Sequence, residues 1–401
     1  MRSYLFLFIL FDITFLPYFW ALSIPFSMPF VFLWAFINIG KIYEYGNKEG
    51  KYPALIVFTI ILSTIVGYQY DEYIYKNSVI AINFIYIFIL WFYFSLNTKL
   101  LYRYDIVRLL CYFYIFVFLW ALLFYFDKDT YVSLLKVWNA RSAGTFSKLF
   151  EDISYFRFSF IWTDPNNISY MISSLLLFIF FTRTLSILKI LILYLMAVFI
   201  VLMTMSAGGF ITLALSTVIM LIDVFYRFVK SAGREGKLPI VGGSLIITLF
   251  GLLFLSYFGD LLMQNDTIIY SLSRFEDNLA GDGAGSGRVD ILKKVIGLVG
   301  FEQLIASFFV GFGGITLVGG DSVSPHNGHI FWWLSFGVIS YVIFIGYFFI
   351  RPFFRNIQYS LWLIPFILGF TINIMLGELK LFSLFMLMYT YSTHKMDKGS
   401  L

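Results

Sequence analysis

The chain has 401 residues, of which 60% are hydrophobic and 13% charged, with a mean hydropathy of +0.85. No soluble domain of this size buries that much apolar surface in one core, so the composition excludes a soluble globular protein. The net charge of +5 comes without a continuous basic run interleaved with exposed aromatics, which argues against a nucleic acid partner.

In chain order, apolar runs long enough to cross a ~30 Å hydrocarbon layer as helices are predicted near 4–20, 26–43, 53–69, 78–97, 105–126, 167–182, 187–205, 207–227, 239–258, 328–350, 358–376 and 379–391. The fold class is therefore an all-α polytopic membrane protein of about twelve transmembrane helices in one membrane domain. Met1-Arg2 precedes the first run, but no small-residue cleavage site follows, so that run is expected to stay as a span. Lys and Arg collect in alternate short loops when both termini are cytoplasmic, which fixes the expected orientation. Lys76 and Lys380 then fall in short outer links, and the remaining outer cations fall in two long outer loops, 127–166 and 259–327.

The first long loop carries Tyr131, Leu134, Leu135 and Trp138 at helical spacing between polar residues, which predicts an amphipathic helix at the outer membrane surface. At its end stand Arg157 and Asp164-Pro165-Asn166. Locally this is a turn and helix cap, and a helix start beside an arginine also suits an anionic ligand. Ser206-Ala207-Gly208-Gly209 predicts a tight hairpin whose small residues admit close approach by a neighbouring backbone or a ligand.

The second long loop contains a glycine-rich run at 280–287, then Arg288 at the start of an amphipathic helix built on Val289, Leu292, Val295, Ile296 and Val299. The glycines form no nucleotide loop, because no Gly-Lys-Ser/Thr follows. Pro325-His326-Asn327 opens the next span. His329 lies three residues beyond His326, but no cysteine, third histidine or carboxylate set joins them, so no metal or other cofactor is expected. Cys111 is the one cysteine, which excludes an intrachain disulfide. Inside the spans the clearest ionisable residue is Asp12, with Asp223 near an inner end.

Arg157 with Asp164-Pro165-Asn166, Ser206-Ala207-Gly208-Gly209, Ser286-Gly287-Arg288 and Pro325-His326-Asn327 occur in this order on the expected outer face. In that order and topology, over roughly 127–350, the chain resembles the O-antigen polymerase and ligase superfamily of bacterial inner-membrane glycosyltransferases. Family members often carry arginine after the hairpin serine, where this chain has Ala207. The ten residues between Arg274 and Gly285 also resemble a spacing in outer loops of polysaccharide polymerases, although a glycine-rich loop supplies it by chance as well.

The resemblance implies a GT-C-like membrane fold and undecaprenyl-diphosphate-linked oligosaccharide as donor and acceptor, with a flippase and a chain-length regulator as partners. It further implies metal-independent, inverting transfer at the periplasmic face. His326 then activates the acceptor hydroxyl, Arg288 stabilises the diphosphate, and Arg157, Asp164, Asn166, Ser206, Arg274 and Asn327 bind substrate. A ligase moving finished glycan to a lipid A core or a protein uses the same donor. A lipid-linked oligosaccharide flippase remains the alternative of another class.

Overall fold

The computed structural model describes residues 2–19, 24–67, 74–139, 157–162, 164–235, 305, 307–311, 317–318, 321–322, 327–372 and 378–397. Arg274, Arg288, His326 and the run at 239–258 lie outside these residues. Apolar helices carry the described chain, with one short antiparallel pair, β1 (Leu317–Val318) and β2 (Asp321–Ser322).

The helices are α1 (Arg2–Phe15), α2 (Met28–Ile37), α3 (Ile39–Lys48), α4 (Lys51–Gly67), α5 (Ile74–Leu96), α6 (Thr98–Arg103), α7 (Ile106–Phe126) and α8 (Lys128–Trp138). They continue with α9 (Pro165–Thr182), α10 (Ile187–Thr204), α11 (Ala207–Glu235), α12 (Gly328–Phe344), α13 (Arg351–Arg355), α14 (Ile357–Ser360), α15 (Leu363–Ile372) and α16 (Leu379–Asp397). A π-helical stretch, Ile345–Ile350, joins α12 to α13.

Among the described residues six helical stretches are long and apolar enough to span a membrane, and a seventh if α3 and α4, bent by 115°, count as one broken span. The protein is thus a polytopic membrane protein by the length and composition of its helices.

Three of the expected spans have a different local form. The run at 26–43 is two ten-residue helices broken at Asn38, whose side-chain amide donates to Trp34 O (2.9 Å). α3 carries Lys41, Glu44 and Lys48, with Glu44 and Lys48 ion-paired at 2.9 Å, and this polarity separates it from the wholly apolar α2. The run at 358–376 is interrupted between α14 and α15 by a turn at Leu361-Trp362. α1 stops at Phe15, because Pro17 disfavours helical backbone at the residue before it.

α9 is the central column. All of Pro165–Thr182 is buried, and it is the least apolar of the six stretches, with serines at 169, 173 and 174. A helix surrounded by protein needs close packing rather than lipid-compatible side chains, and small residues provide that. α9 packs on α7, α10, α11 and α15. On α11 the facing positions are Gly208 and Gly209: an added Cβ at Gly208 collides with the Tyr170 hydroxyl, and one at Gly209 meets Ser169 Cβ at 2.6 Å.

Lys380, expected in an outer link, is the second residue of α16 and is 1% exposed. Its ammonium donates to Asp12 Oδ1 (3.1 Å) and to the carbonyls of Asp12 (2.6 Å), Leu16 (2.7 Å) and Pro17 (3.1 Å). A cation therefore caps the C-terminal end of α1, where exposed carbonyls concentrate negative potential. Asp12, wholly buried, also accepts from Ser27 N at 2.7 Å.

Candidate functional site

One end of the bundle gathers the polar sequence motifs that the structure describes. There α8 buries Tyr131 and Leu135 and holds the segment 157–162. The Tyr131 hydroxyl donates to Phe160 O (3.0 Å) and accepts from Ser159 N (3.3 Å), while Asn139 Nδ2 donates to Ile161 O (2.7 Å). Burial raises the Tyr131 pKa to about 12, so its hydroxyl keeps the proton that it donates. Phe160 adopts φ +59°, a left-handed backbone conformation that disfavours an L side chain, and these bonds hold it there. Phe158 N donates to Met203 O (3.0 Å), which lays the segment across the end of α10.

This arrangement brings Arg157 to the starts of α9 and α11. Its Nε donates to Thr204 O (2.8 Å) and its Nη2 to Asn166 Oδ1 (3.3 Å). Asp164 is the N-cap of α9: its Oδ1 accepts from Asn166 N and from Asn166 Nδ2, both at 2.7 Å, with Pro165 at the first helical position. The Ser206 hydroxyl donates to Asn166 Oδ1 (2.6 Å) and accepts from Gly209 N (3.0 Å), which caps α11. Four of the sequence candidates, Arg157, Asp164, Asn166 and Ser206, thus form one network with the Asn166 amide at its hub.

The network also divides their roles. Arg157 and Asp164 are partly exposed, whereas Asn166 is 8% exposed and Ser206 is fully buried. Both functions of the Ser206 hydroxyl are used inside the protein, so Ser206 orients Asn166 and does not itself face an incoming ligand in this conformation. Gly208 and Gly209 are small because Tyr170 and Ser169 press on them, so in this conformation their closeness serves helix packing.

Asn327 caps α12, with Oδ1 accepting from His329 N (3.0 Å) and Ile330 N (3.1 Å). α12 begins against α15: a Cβ at Gly328 meets Phe370 O at 2.6 Å. Thr371 Oγ1 spends its proton on Ile367 O (2.9 Å), so at 2.9 Å from His329 Nε2 it is the acceptor and Nε2 carries a hydrogen. His329 Nδ1 then accepts from the Tyr341 hydroxyl at 3.1 Å. The Nε2 bond ties α12 to α15 and the Nδ1 bond ties the first turn of α12 to its own later half, so both ring nitrogens are engaged within the protein. Among the described residues no three His, Cys, Asp or Glu side chains gather as a metal site.

Sequence reasoning missed Lys380, Glu378 and Tyr18 as a buried polar group with Asp12. The Tyr18 hydroxyl donates to Glu378 Oε2 (3.4 Å), and Tyr18 N donates to Trp138 O (3.0 Å). This group thereby joins the same end of the bundle as Arg157 through α8. Lys380 as an outer cation in a short link was the available signal.

No family model matches the chain, and no curated protein matches it significantly.

Proposed function

We propose that the chain is a polysaccharide polymerase of a bacterial inner membrane that joins undecaprenyl-diphosphate-linked oligosaccharide repeats. Twelve spans with both termini cytoplasmic put 127–166 and 259–327 at the periplasmic face, where metal-independent, inverting transfer takes place. The observation that carries the reading is the Arg157–Asn166–Ser206–Asp164 network, which fixes a guanidinium beside two helix starts. Helix N-termini favour anions, and a held planar cation stabilises charge developing on a diphosphate leaving group without reorganising. Arg288 supplies the second cation and Arg274 a further one, with Asn327 at the mouth of α12 on the acceptor side. His326 is the acceptor-activating base, its ordinary pKa of ~6.5 matching the task.

The ligase reading shares this donor chemistry and differs in the acceptor. For the flippase reading, Lys380 is the buried lysine among the described residues, but Asp12 and the carbonyls of Leu16 and Pro17 enclose its ammonium, so it presents no charge to a translocating diphosphate.

The test is a transfer assay on the purified full chain with undecaprenyl-diphosphate-linked repeat. Arg157→Ala is expected to cut the rate by ~10²-fold or more, the scale of losing a preorganised charge contact. Arg157→Lys should recover little, because a point charge does not reproduce a planar fork. Normal rates in both variants would overturn the assignment.

A further inference from the structure

At the end of the bundle opposite Arg157, two arginines from two elements flank one carboxylate, and a lysine from a third element is bonded beside one of them. Asp223 on α11, 7% exposed, pairs with Arg227 one turn on and accepts from Gln358 Nε2 of α14 at 2.6 Å. Arg183 closes α9 in a left-handed conformation (φ +56°) and brings Nη2 to 4.0 Å from Asp223 Oδ1. Lys395 of α16 donates to Thr182 O (3.3 Å) and lies 5.3 Å above the Tyr359 ring. Partial burial, and then the neighbouring charge of Arg183, pull the Lys395 ammonium below its usual range.

Elsewhere at this end, among the described residues, the ion pairs are one to one and local: Lys48 with Glu44 and Arg108 with Asp105. A cytoplasmic bias in basic residues accounts for such scattered pairs. It does not account for two arginines from separate helices meeting at a single buried aspartate, both about two-fifths exposed, with Lys395 held at the residue before one of them.

We infer that Arg183, Arg227 and Lys395 form a binding site for the phosphate of an anionic glycerophospholipid. The depth fits a headgroup: the spanning stretches Pro165–Thr182 and Ala207–Arg227 both end here, which places the cations at the membrane boundary. Arginine forks match phosphate oxygens in pairs. The flanking helices present exposed apolar side chains, Ile187 and Leu188 on α10 and Ile222, Phe225 and Tyr226 on α11, which suit acyl chains and would be wasted on a free anion. Asp223 draws the two arginines together, and among the described side chains here the positive charges outnumber the negative. The site is separate from the transfer reaction and stands whether or not that reading holds.

The experiment is native mass spectrometry of the full chain titrated with phosphatidylglycerol or phosphatidylcholine, with and without inorganic phosphate. Phosphatidylglycerol should bind at least tenfold more tightly than phosphatidylcholine. Arg183→Gln and Lys395→Gln should each weaken it about fivefold, the usual weight of one basic residue at a charged membrane surface, and leave phosphatidylcholine unchanged. Asp223→Asn should tighten it, an outcome that a purely structural cluster does not produce; the Arg183 and Lys395 variants decide the matter if that protein does not fold. Arg108→Gln should change nothing. Equal affinity for the two lipids, indifference to Arg183→Gln and Lys395→Gln, or an equal loss in Arg108→Gln would each overturn the site. Displacement of phosphatidylglycerol by an equal concentration of inorganic phosphate would overturn the lipid assignment.

Discussion

Asp12 and Lys380 meet across 368 positions of sequence, both essentially without solvent exposure. Asp12 is legible in the sequence as a carboxylate within an apolar run, but its partner is not, since hydropathy near a span end does not distinguish a loop lysine from one folded back onto a helix terminus. Removing one member leaves the other charge buried and uncompensated, which costs ~3–5 kcal/mol. Lys380→Met should therefore lower the thermal midpoint of the purified protein sharply, and Asp12→Leu with Lys380→Met should recover most of the loss. Equal destabilisation in the single and double variants would show that the contacts of Lys380 with the Leu16 and Pro17 carbonyls matter more than the charge pair. At the candidate site the Asp164-Pro165-Asn166 cap was readable because caps are local, whereas the link from Asn166 to Ser206 depends on how two helix starts pack.

Hydrophobic runs mark most of the longer helices because each row of apolar side chains must leave water wherever it is placed. Breaks within a run are less visible, since hydropathy reports environment and not backbone continuity. α12 illustrates this: Gly337 inside it has φ +84°, and its neighbours are the Phe309 carbonyl, 2.7 Å from an added Cβ, and the backbone of Gly311. The segment 307–311, expected in an outer loop, packs against this break in a spanning helix, and the Ser63 hydroxyl of α4 donates to Val310 O. Irregular backbone at such a depth is tolerated where protein covers it. The α9–α11 interface gives the sharper test. Gly208→Ala should destabilise by ~1–3 kcal/mol through overpacking, and Tyr170→Phe in the same chain should restore stability by removing the hydroxyl that the methyl meets. A Gly208→Ala protein as stable as the parent would show that this contact opens without strain.

Over the whole molecule, a chain of contacts links the Arg157–Asn166 segment to α8 and to the neighbouring ends of α1 and α16. It runs from Arg157 and Asn166 through Ile161 and Asn139 to Trp138, Tyr18 and Glu378, and His329 and Thr371 join α12 to α15 separately. Alternation of the twelve expected spans puts the sequence motifs on one face, an orientation that labelling tests. Cysteines introduced at Ser147 and Ser286 should label in intact spheroplasts without permeabilisation, and protection of both would contradict the proposed orientation. The activity we propose is metal-independent polymerisation of a lipid-diphosphate-linked glycan. Its most direct test is to incubate the purified chain in EDTA with undecaprenyl-diphosphate-linked repeat and resolve the products by length. A ladder of whole repeat units that disappears in His326→Ala, a change expected to cost ~10²- to 10⁴-fold in rate, is the result predicted. No ladder until a divalent cation is restored, or an undiminished one from His326→Ala, would contradict it.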